Sequence, residues 1–287
     1  MAPKDRRSSG YDLVSFENPP VAEVVLSVQF APDTVDLEAL GLFAHRIRPE
    51  LPVRQQQPPV PRMVETFASV PPAANIEFRF DIPMALPNTW FLSEDSVFLV
   101  QVQHDRLSLN WRELDKPVPY PRYEGLRARF SELLATLTAC ISDAGKNAMV
   151  DLCEVTYVNP IGHPDAGTDH PDLAKILNRL RTRPRSAFLP EAEDAQLHAR
   201  WRIPAEEIGR KGTPAGRLYL AAAPGFRPPK NAPIYMINLT GHVIPSSGDS
   251  AGALEALDVA HEWVVLGFKD VTTPDMQRLW GVKEERS

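Results

Sequence analysis

The regular hydrophobic pattern begins near residue 21, where a β-branched, apolar run predicts a buried strand over residues 21–30. Apolar residues at helical spacing then predict a helix over 35–48, capped by Asp33 or Thr34. Five prolines within 49–62 predict an extended surface loop. Strand-like segments follow at 63–70, 76–82, 90–92 with 97–103, and 106–111, and a hairpin turn through His104 and Asp105 joins 97–103 to 106–111.

A continuous apolar stripe, with members three or four residues apart, predicts a long helix over residues 121–145. The pattern then restarts with a second apolar, β-branched strand at 150–161. The remaining predicted elements are a helix at 171–180, strands at 196–203, 217–223 and 234–243, a core helix at 253–268, and a terminal turn at 272–280.

In both halves of the chain, the predicted order of elements is therefore strand, helix, antiparallel strands and long helix. This order predicts an α+β fold of two similar halves, and it resembles the helix-grip or saddle-like architectures. We expect a flexible N-terminal tail over 1–17, a first α+β half over 18–147 and a second over 148–287. Alternatively, the two halves pack as one compact, pseudo-duplicated domain.

Composition narrows the class of protein. The chain has 287 residues, of which 43% are hydrophobic, so it can bury a sizeable core. Its 29 prolines are about twice the usual share, which argues against a coiled coil. No apolar run approaches the roughly 20 residues that span a bilayer, and residues 1–10 lack a signal-peptide pattern. We therefore expect a cytoplasmic protein without a membrane segment.

The net charge of the whole chain is −6, but one stretch of the sequence is basic. Residues 175–230 hold 12 Lys and Arg against 5 Asp and Glu, a local balance of +7. In an extended backbone, Arg181, Arg183 and Arg185 lie on one side and could clamp a phosphate or an acidic protein. The alternative is a solvated face with cations at a helix end. Nucleic acid is the less favoured partner, because the whole chain is acidic and carries no recognition motif.

Several common catalytic motifs are absent: the sequence has no G-x-G-x-x-G, H-E-x-x-H or C-x-x-C. Two cysteines cannot form a disulfide framework or a four-ligand zinc site by themselves, and we expect no cofactor. Glu23 and Glu154 occupy equivalent strand positions and could act as an acid–base pair with split pKa values. The alternative is that each carboxylate faces solvent or pairs with arginine.

Two further groups of residues have a functional and a structural interpretation. His163 and His170, with three aspartates nearby, could ligate a metal, although turn formation and helix capping explain the same residues. Trp111, Tyr120 and Arg122 could form a ligand rim, whereas Pro121 equally marks the start of the long helix. Arg106, Tyr157 and Asn159 complete the candidate binding residues, and His261, Cys140 and Cys153 are interpreted as core residues.

Several sequence blocks are spread over nearly the whole chain: Asn18-Pro19-Pro20-Val21 with Glu23-Val24, residues 105–111 (DRLSLNW), residues 120–124 (YPRYE), residues 157–161 (YVNPI), and Phe268 followed by Trp280-Gly281. Together these blocks are similar to a sporadically distributed family of bacterial and archaeal proteins without an established activity. The resemblance implies no mechanism, cofactor or substrate, and the sporadic distribution suggests an accessory role in conflict, defence or toxin neutralisation.

Together these patterns predict an α+β binding protein that is not an enzyme and that contacts a protein or an anionic ligand through its basic block. The alternative is an enzyme or small-molecule-binding protein with a cavity between sheet and helix. Glu23, Glu154, Arg106 and Tyr157 would line that cavity.

Overall fold

Nine antiparallel strands form one sheet, with β2 and β7 paired near its centre. The computed structural model describes residues 13–67, 86–114, 118–162, 169–178, 188 and 192–284. The strand order is β3-β4-β5-β6-β2-β7-β10-β9-β8. These strands are β2 (Glu23–Phe30), β3 (Val53–Gln57), β4 (Asn88–Leu92), β5 (Phe98–Gln103), β6 (Arg106–Arg112), β7 (Val150–Ile161), β8 (Leu197–Ile203), β9 (Gly216–Arg227) and β10 (Ala232–Val243).

The helices begin where polar side chains cap their free N–H groups. Asp36, Asp249 and Thr273 each accept a bond from a backbone N–H of the first turn of α1, α4 and α5. The helices are α1 (Leu37–Ile47), α2 (Arg122–Asp143), α3 (Leu173–Ile176), α4 (Ser250–Val271) and α5 (Pro274–Leu279), with a short 3-10 helix at Ala205–Ile208.

The larger helices cover one face of the sheet. The apolar stripe of α2, including Phe130 and Leu134, is buried in one cluster with alternate residues of β2 and β6. Helix α4 packs on β7 and β10. It approaches so closely that a Cβ atom at Gly241 would lie 2.8 Å from the Ala260 carbonyl oxygen. This helix-covered side is the apolar interior of the fold.

A second apolar cluster lies at the other end of α4. There, β1 (Val14–Phe16) pairs with β11 (Val282–Glu284) in a separate two-stranded sheet. The Phe16 ring meets Phe268 and Trp280 edge to face at 5.8 and 6.0 Å. The segment predicted as a tail over residues 1–17 therefore includes a paired strand.

Most of the predicted elements are confirmed, and the fold is α+β. The strand at 150–161 has the predicted bounds, the helix at 121–145 is α2, and β5 and β6 form the predicted hairpin around His104 and Asp105. These elements were predictable because the strands bury alternate residues and the helix buries one stripe of apolar residues.

Three predictions differ from the observed elements. The loop predicted over 49–62 contains β3, an edge strand whose exposed, polar sequence VRQQQ hides its strand character. Residues 63–67 form no strand, and residues 76–82 lie outside the described residues. The helix predicted over 171–180 is described only as α3, because Leu177 already has an extended backbone and forms a bridge with Thr272.

Candidate binding site on the polar face of the sheet

The face of the sheet opposite the helices is polar. In β6, Leu107, Leu109 and Trp111 belong to the apolar core, so the intervening residues point to the other side. Directly paired residues share a face, which extends this assignment across the sheet. We call this side the polar face; its members are Gln101 and Gln103 (β5), Arg106, Ser108 and Asn110 (β6), Ser27 and Gln29 (β2), Glu154 and Thr156 (β7), Thr240 and His242 (β10), and Arg217 and Tyr219 (β9).

A cavity of about 160 Å³ opens on this face. Side-chain amides form one of its walls. Asn88 donates to Gln101 at 3.1 Å, Gln101 donates to Asn110 at 2.9 Å, and Asn110 donates to Glu23 at 2.6 Å. The hydroxyls of Ser27 and Ser108 and the charged groups of Arg106 and Glu154 also line it.

One acceptor in this wall has no partner. Asn88 is 3% exposed, and its Oδ1 atom makes no hydrogen bond within the described part of the chain. A buried, unpaired carbonyl oxygen costs about 1–3 kcal/mol. The amide chain fixes the orientation of Asn88, because its Nδ2 group already donates to Gln101.

A buried ionic cluster adjoins the cavity. His242 lies between two carboxylates: its Nδ1 is 2.8 Å from Glu65 Oε1, and its Nε2 is 3.3 Å from Glu154 Oε2. Glu65 also pairs with Arg217 and accepts a bond from the Tyr219 hydroxyl at 2.6 Å. The cluster therefore connects β7, β9 and β10 to the segment that contains Glu65.

The cluster fixes the protonation of its members. Burial lowers the pKa of His242, but bonds to Glu154 and Glu65 outweigh burial and raise it to about 9. For Glu65 and Glu154, burial raises the pKa, yet bonds from His242 and the neighbouring donors lower it overall. At neutral pH the cluster therefore holds an imidazolium between two carboxylates.

The segment of residues 60–67, which we call the strap, crosses the polar face. The side-chain amide of Gln103 both donates to the Val60 carbonyl and accepts from its N–H, at 2.9 and 2.8 Å. Gln29 makes the same pair of bonds with Met63, at 2.8 and 2.9 Å. Val60 also lines the cavity, so the strap forms part of its wall.

The structure separates the four residues that we expected around a sheet–helix cavity. Arg106 and Glu154 line the polar cavity together, and Glu23 joins it through Asn110. Tyr157 lies on the opposite, helix-covered side. Glu154 pairs with Ser27, four residues from Glu23 along β2, so about 13 Å of strand separates the two carboxylates.

The aromatic candidates lie together in the core beneath the helices. The hydroxyls of Tyr120 and Tyr157 are 2.9 Å apart, and the Tyr157 hydroxyl is 3.2 Å from His261 Nδ1. Tyr123 stacks on His261 at 3.7 Å. Burial lowers the pKa of His261 to about 3, so the ring is neutral, as befits a core histidine. Trp111 packs against Tyr120 at 4.9 Å.

Two other binding candidates make structural contacts. Arg122 donates to the Phe16 carbonyl at 3.2 Å and stacks over the Tyr120 ring at 5.6 Å. The Asn159 side chain donates to the Tyr157 and Ile237 carbonyls at 3.2 and 3.0 Å. Both therefore hold neighbouring segments in place.

The histidine and arginine candidates are only partly described. His163 and Arg181, Arg183 and Arg185 lie outside the described residues. His170 Nε2 is 3.0 Å from the Gly225 carbonyl oxygen, and its ring contacts Phe226. Among the residues that the structure describes, no group of three or more His, Cys, Asp or Glu could hold a metal ion.

No protein-family model matches the chain, and no curated protein matches it. Within the described residues, no helix is both long enough and apolar enough to cross a bilayer. The site must therefore be interpreted from its own geometry.

The sequence patterns missed Asn88, Glu65 and His242 as site residues. A signal existed in β6, where Arg106, Ser108 and Asn110 alternate with apolar residues and predict a polar side. Glu65 gave no such signal, because the strand-like pattern at 63–70 led to the prediction of a strand and not of a segment that crosses the sheet.

Proposed function

We propose that the protein binds a small polar ligand, without net charge, in the cavity beside the strap. The observation that carries the proposal is the wall of hydrogen-bonded side-chain amides, from Asn88 through Gln101 to Asn110, that lines the cavity. Amide groups both donate and accept hydrogen bonds, so such a wall suits a small polar ligand. This is the small-molecule alternative, with the cavity on the polar face and not between sheet and helix.

The size and charge of the cavity favour one class of ligand. A volume of about 160 Å³ is below the range of drug-sized pockets and suits a single amino acid, a monosaccharide or a nucleobase. Of the residues that line it, Arg106 and Glu154 carry opposite charges, and the adjoining cluster places a protonated His242 between Glu65 and Glu154. Uncharged or zwitterionic ligands therefore fit better than anions.

Protonation favours binding over acid–base catalysis. A general base near neutral pH needs an unprotonated form, but the pKa of His242 is about 9. Hydrogen bonds keep Glu154 ionised, so it is a poor proton donor. Glu23 lies too far along β2 to share a proton with it.

The remaining expectations stand as parts of this proposal. We propose a cytoplasmic protein that arose by duplication, with β2 and β7 as corresponding strands of the two halves. The central pairing of β2 with β7, and the long helix that closes each half, support this relation. A partner bound through Arg181, Arg183 and Arg185, and an accessory role in defence, stay predictions.

A thermal-shift screen against amino acids, monosaccharides, nucleobases and small anions tests the proposal. We expect a neutral or zwitterionic compound to raise the melting temperature. Calorimetric titration of that compound should then show about tenfold weaker binding to Asn88→Leu, because the substitution removes an amide from the cavity wall and the bond that orients Gln101. Ser108→Thr, which adds a methyl group to the wall, should also weaken binding.

Asn238→Leu is the matched control. Asn238 also has a buried, unpartnered Oδ1 atom, but it does not line the cavity. Its substitution should leave the affinity within about twofold of the wild-type value. Equal losses in Asn88→Leu and Asn238→Leu, or a response to anions alone, would contradict the proposal.

A further inference from the structure

The strap lies on the polar face as an extended peptide lies in a binding groove. Gln103 and Gln29 each use both ends of their amide to hold the backbone of Val60 and Met63, three residues apart. Arg106 adds a bond to the Pro61 carbonyl at 3.2 Å. Hydrogen bonds to main-chain atoms hold any extended segment, whatever its side chains.

Two charged side chains of the strap enter pockets of opposite charge. Arg62 pairs with Asp151 and also, at 3.1 Å, with Asp105. The side chain of Asp105 is fully buried. Three residues later, Glu65 enters the cluster of His242, Arg217 and Tyr219. The groove therefore distinguishes a basic residue from an acidic one at a spacing of three.

Three apolar side chains of the strap are largely exposed: Val60, Met63 and Val64 are 40%, 43% and 67% exposed, whereas Gln29 and Gln103 beneath them are 4% and 2% exposed. The Phe67 ring instead contacts the Arg217 guanidinium at 4.4 Å. Polar contacts and this ring contact therefore hold the strap. Such contacts can be exchanged for equivalent ones from another chain at little net cost.

The connection that contains the strap is much longer than pairing requires. Antiparallel β3 and β4 are neighbours, and hairpin loops usually have two to five residues. Here 30 residues, 58–87, separate the two strands. The need to join these two strands therefore does not account for the strap.

We infer that the polar face is a peptide-binding groove that the strap fills in the free protein. Its partner is an extended segment of another protein with a basic residue followed three positions later by an acidic one. This inference goes beyond the proposed small ligand, because a bound peptide would contact the polar face from β5 to β9 and not the cavity alone. The tethered strap has a high effective concentration, so it competes strongly with a free peptide.

A labelled peptide with the sequence of residues 58–67, PPVPRMVETF, tests the inference by fluorescence polarisation. The receptor is the full chain with Arg62→Ala and Glu65→Ala, which weaken the strap but leave the groove intact. We expect this variant to bind the peptide at least tenfold more tightly than the wild type. A peptide with Arg and Glu exchanged, PPVPEMVRTF, should bind at least tenfold more weakly than the original.

Two additional variants make the result specific. Gln29→Ala, added to the double variant, should reduce peptide affinity, whereas added Asn88→Leu should not, which separates this groove from the small-ligand cavity. If circular dichroism shows that the double variant is unfolded, the single variant Glu65→Gln serves as the receptor instead. It should still bind the peptide more tightly than the wild type does, and the original peptide more tightly than the exchanged one. A folded receptor that binds no better than wild type, or binds both peptides equally, overturns the inference.

Discussion

Replacing His242 with glutamine tests the ionic cluster that joins the strap to the sheet. His242 is 4% exposed, and both ring nitrogens face carboxylates. Glutamine keeps a similar reach but does not titrate. We therefore expect His242→Gln to remove a large part of the pH dependence of folding stability between pH 6 and pH 9.5.

The size of the effect follows from the pKa of His242. Its rise from 6.5 to about 9 corresponds to about 3 kcal/mol, at 1.36 kcal/mol for each tenfold change in proton affinity. Because the folded protein holds the proton more tightly than the unfolded chain, this stabilisation is complete below pH 6.5. It is lost as the pH rises through 9.

The neighbouring groups do not titrate in this interval. The carboxylates of Glu65 and Glu154 have lowered pKa values and stay ionised throughout. Burial and the bond to Glu65 raise the pKa of Tyr219 to about 12, so it stays neutral. Compared with these three groups, His242 is the one that titrates in this interval in the wild type.

Urea unfolding at pH 6 and pH 9.5, followed by circular dichroism, measures the effect. Between these pH values the wild type should lose about 3 kcal/mol more unfolding free energy than His242→Gln. Parallel losses in the two proteins would show that His242 is not held as an imidazolium, and would refute the reasoning about the cluster.

Two further predictions concern the core. Gly241→Ala should lower the unfolding free energy by about 2 kcal/mol or more in urea titration, because its new methyl group meets the Ala260 carbonyl of α4. At Gly225 on the neighbouring strand a Cβ atom would make an ordinary contact, 3.9 Å from the Ile234 side chain, so Gly225→Ala should cost under about 1 kcal/mol, and equal costs would refute the close helix contact. Cys140 and Cys153 are buried and unpaired, so a thiol reagent should modify neither in the folded protein and both in urea. Rapid modification under native conditions would contradict their burial.

The fold was more predictable from the sequence than the site. Periodicity located β7 and α2 because each buries one regular set of side chains. It missed β3, whose exposed residues have no buried face to reveal. Apolar patterns thus indicate where elements lie, but not which strands become neighbours.

The site depends on which strands pair with each other, and the sequence patterns do not indicate that pairing. Glu154 and Arg106 became neighbours only because β2 joins β6 to β7 within one sheet. Asn88 begins β4 and reaches the cavity because β4 pairs with β5, whereas Glu65 reaches the cluster because the strap crosses the polar face. No local pattern encodes such a crossing.

The most direct test of the small-ligand proposal is a titration followed through the side-chain amide signals in a nitrogen–proton correlation spectrum. The compound selected by the thermal-shift screen should move the signals of Asn88, Gln101 and Asn110, whose amides form the cavity wall. The signal of Asn238 should stay in place. Movement of Asn238 without movement of the cavity amides would contradict the proposed site.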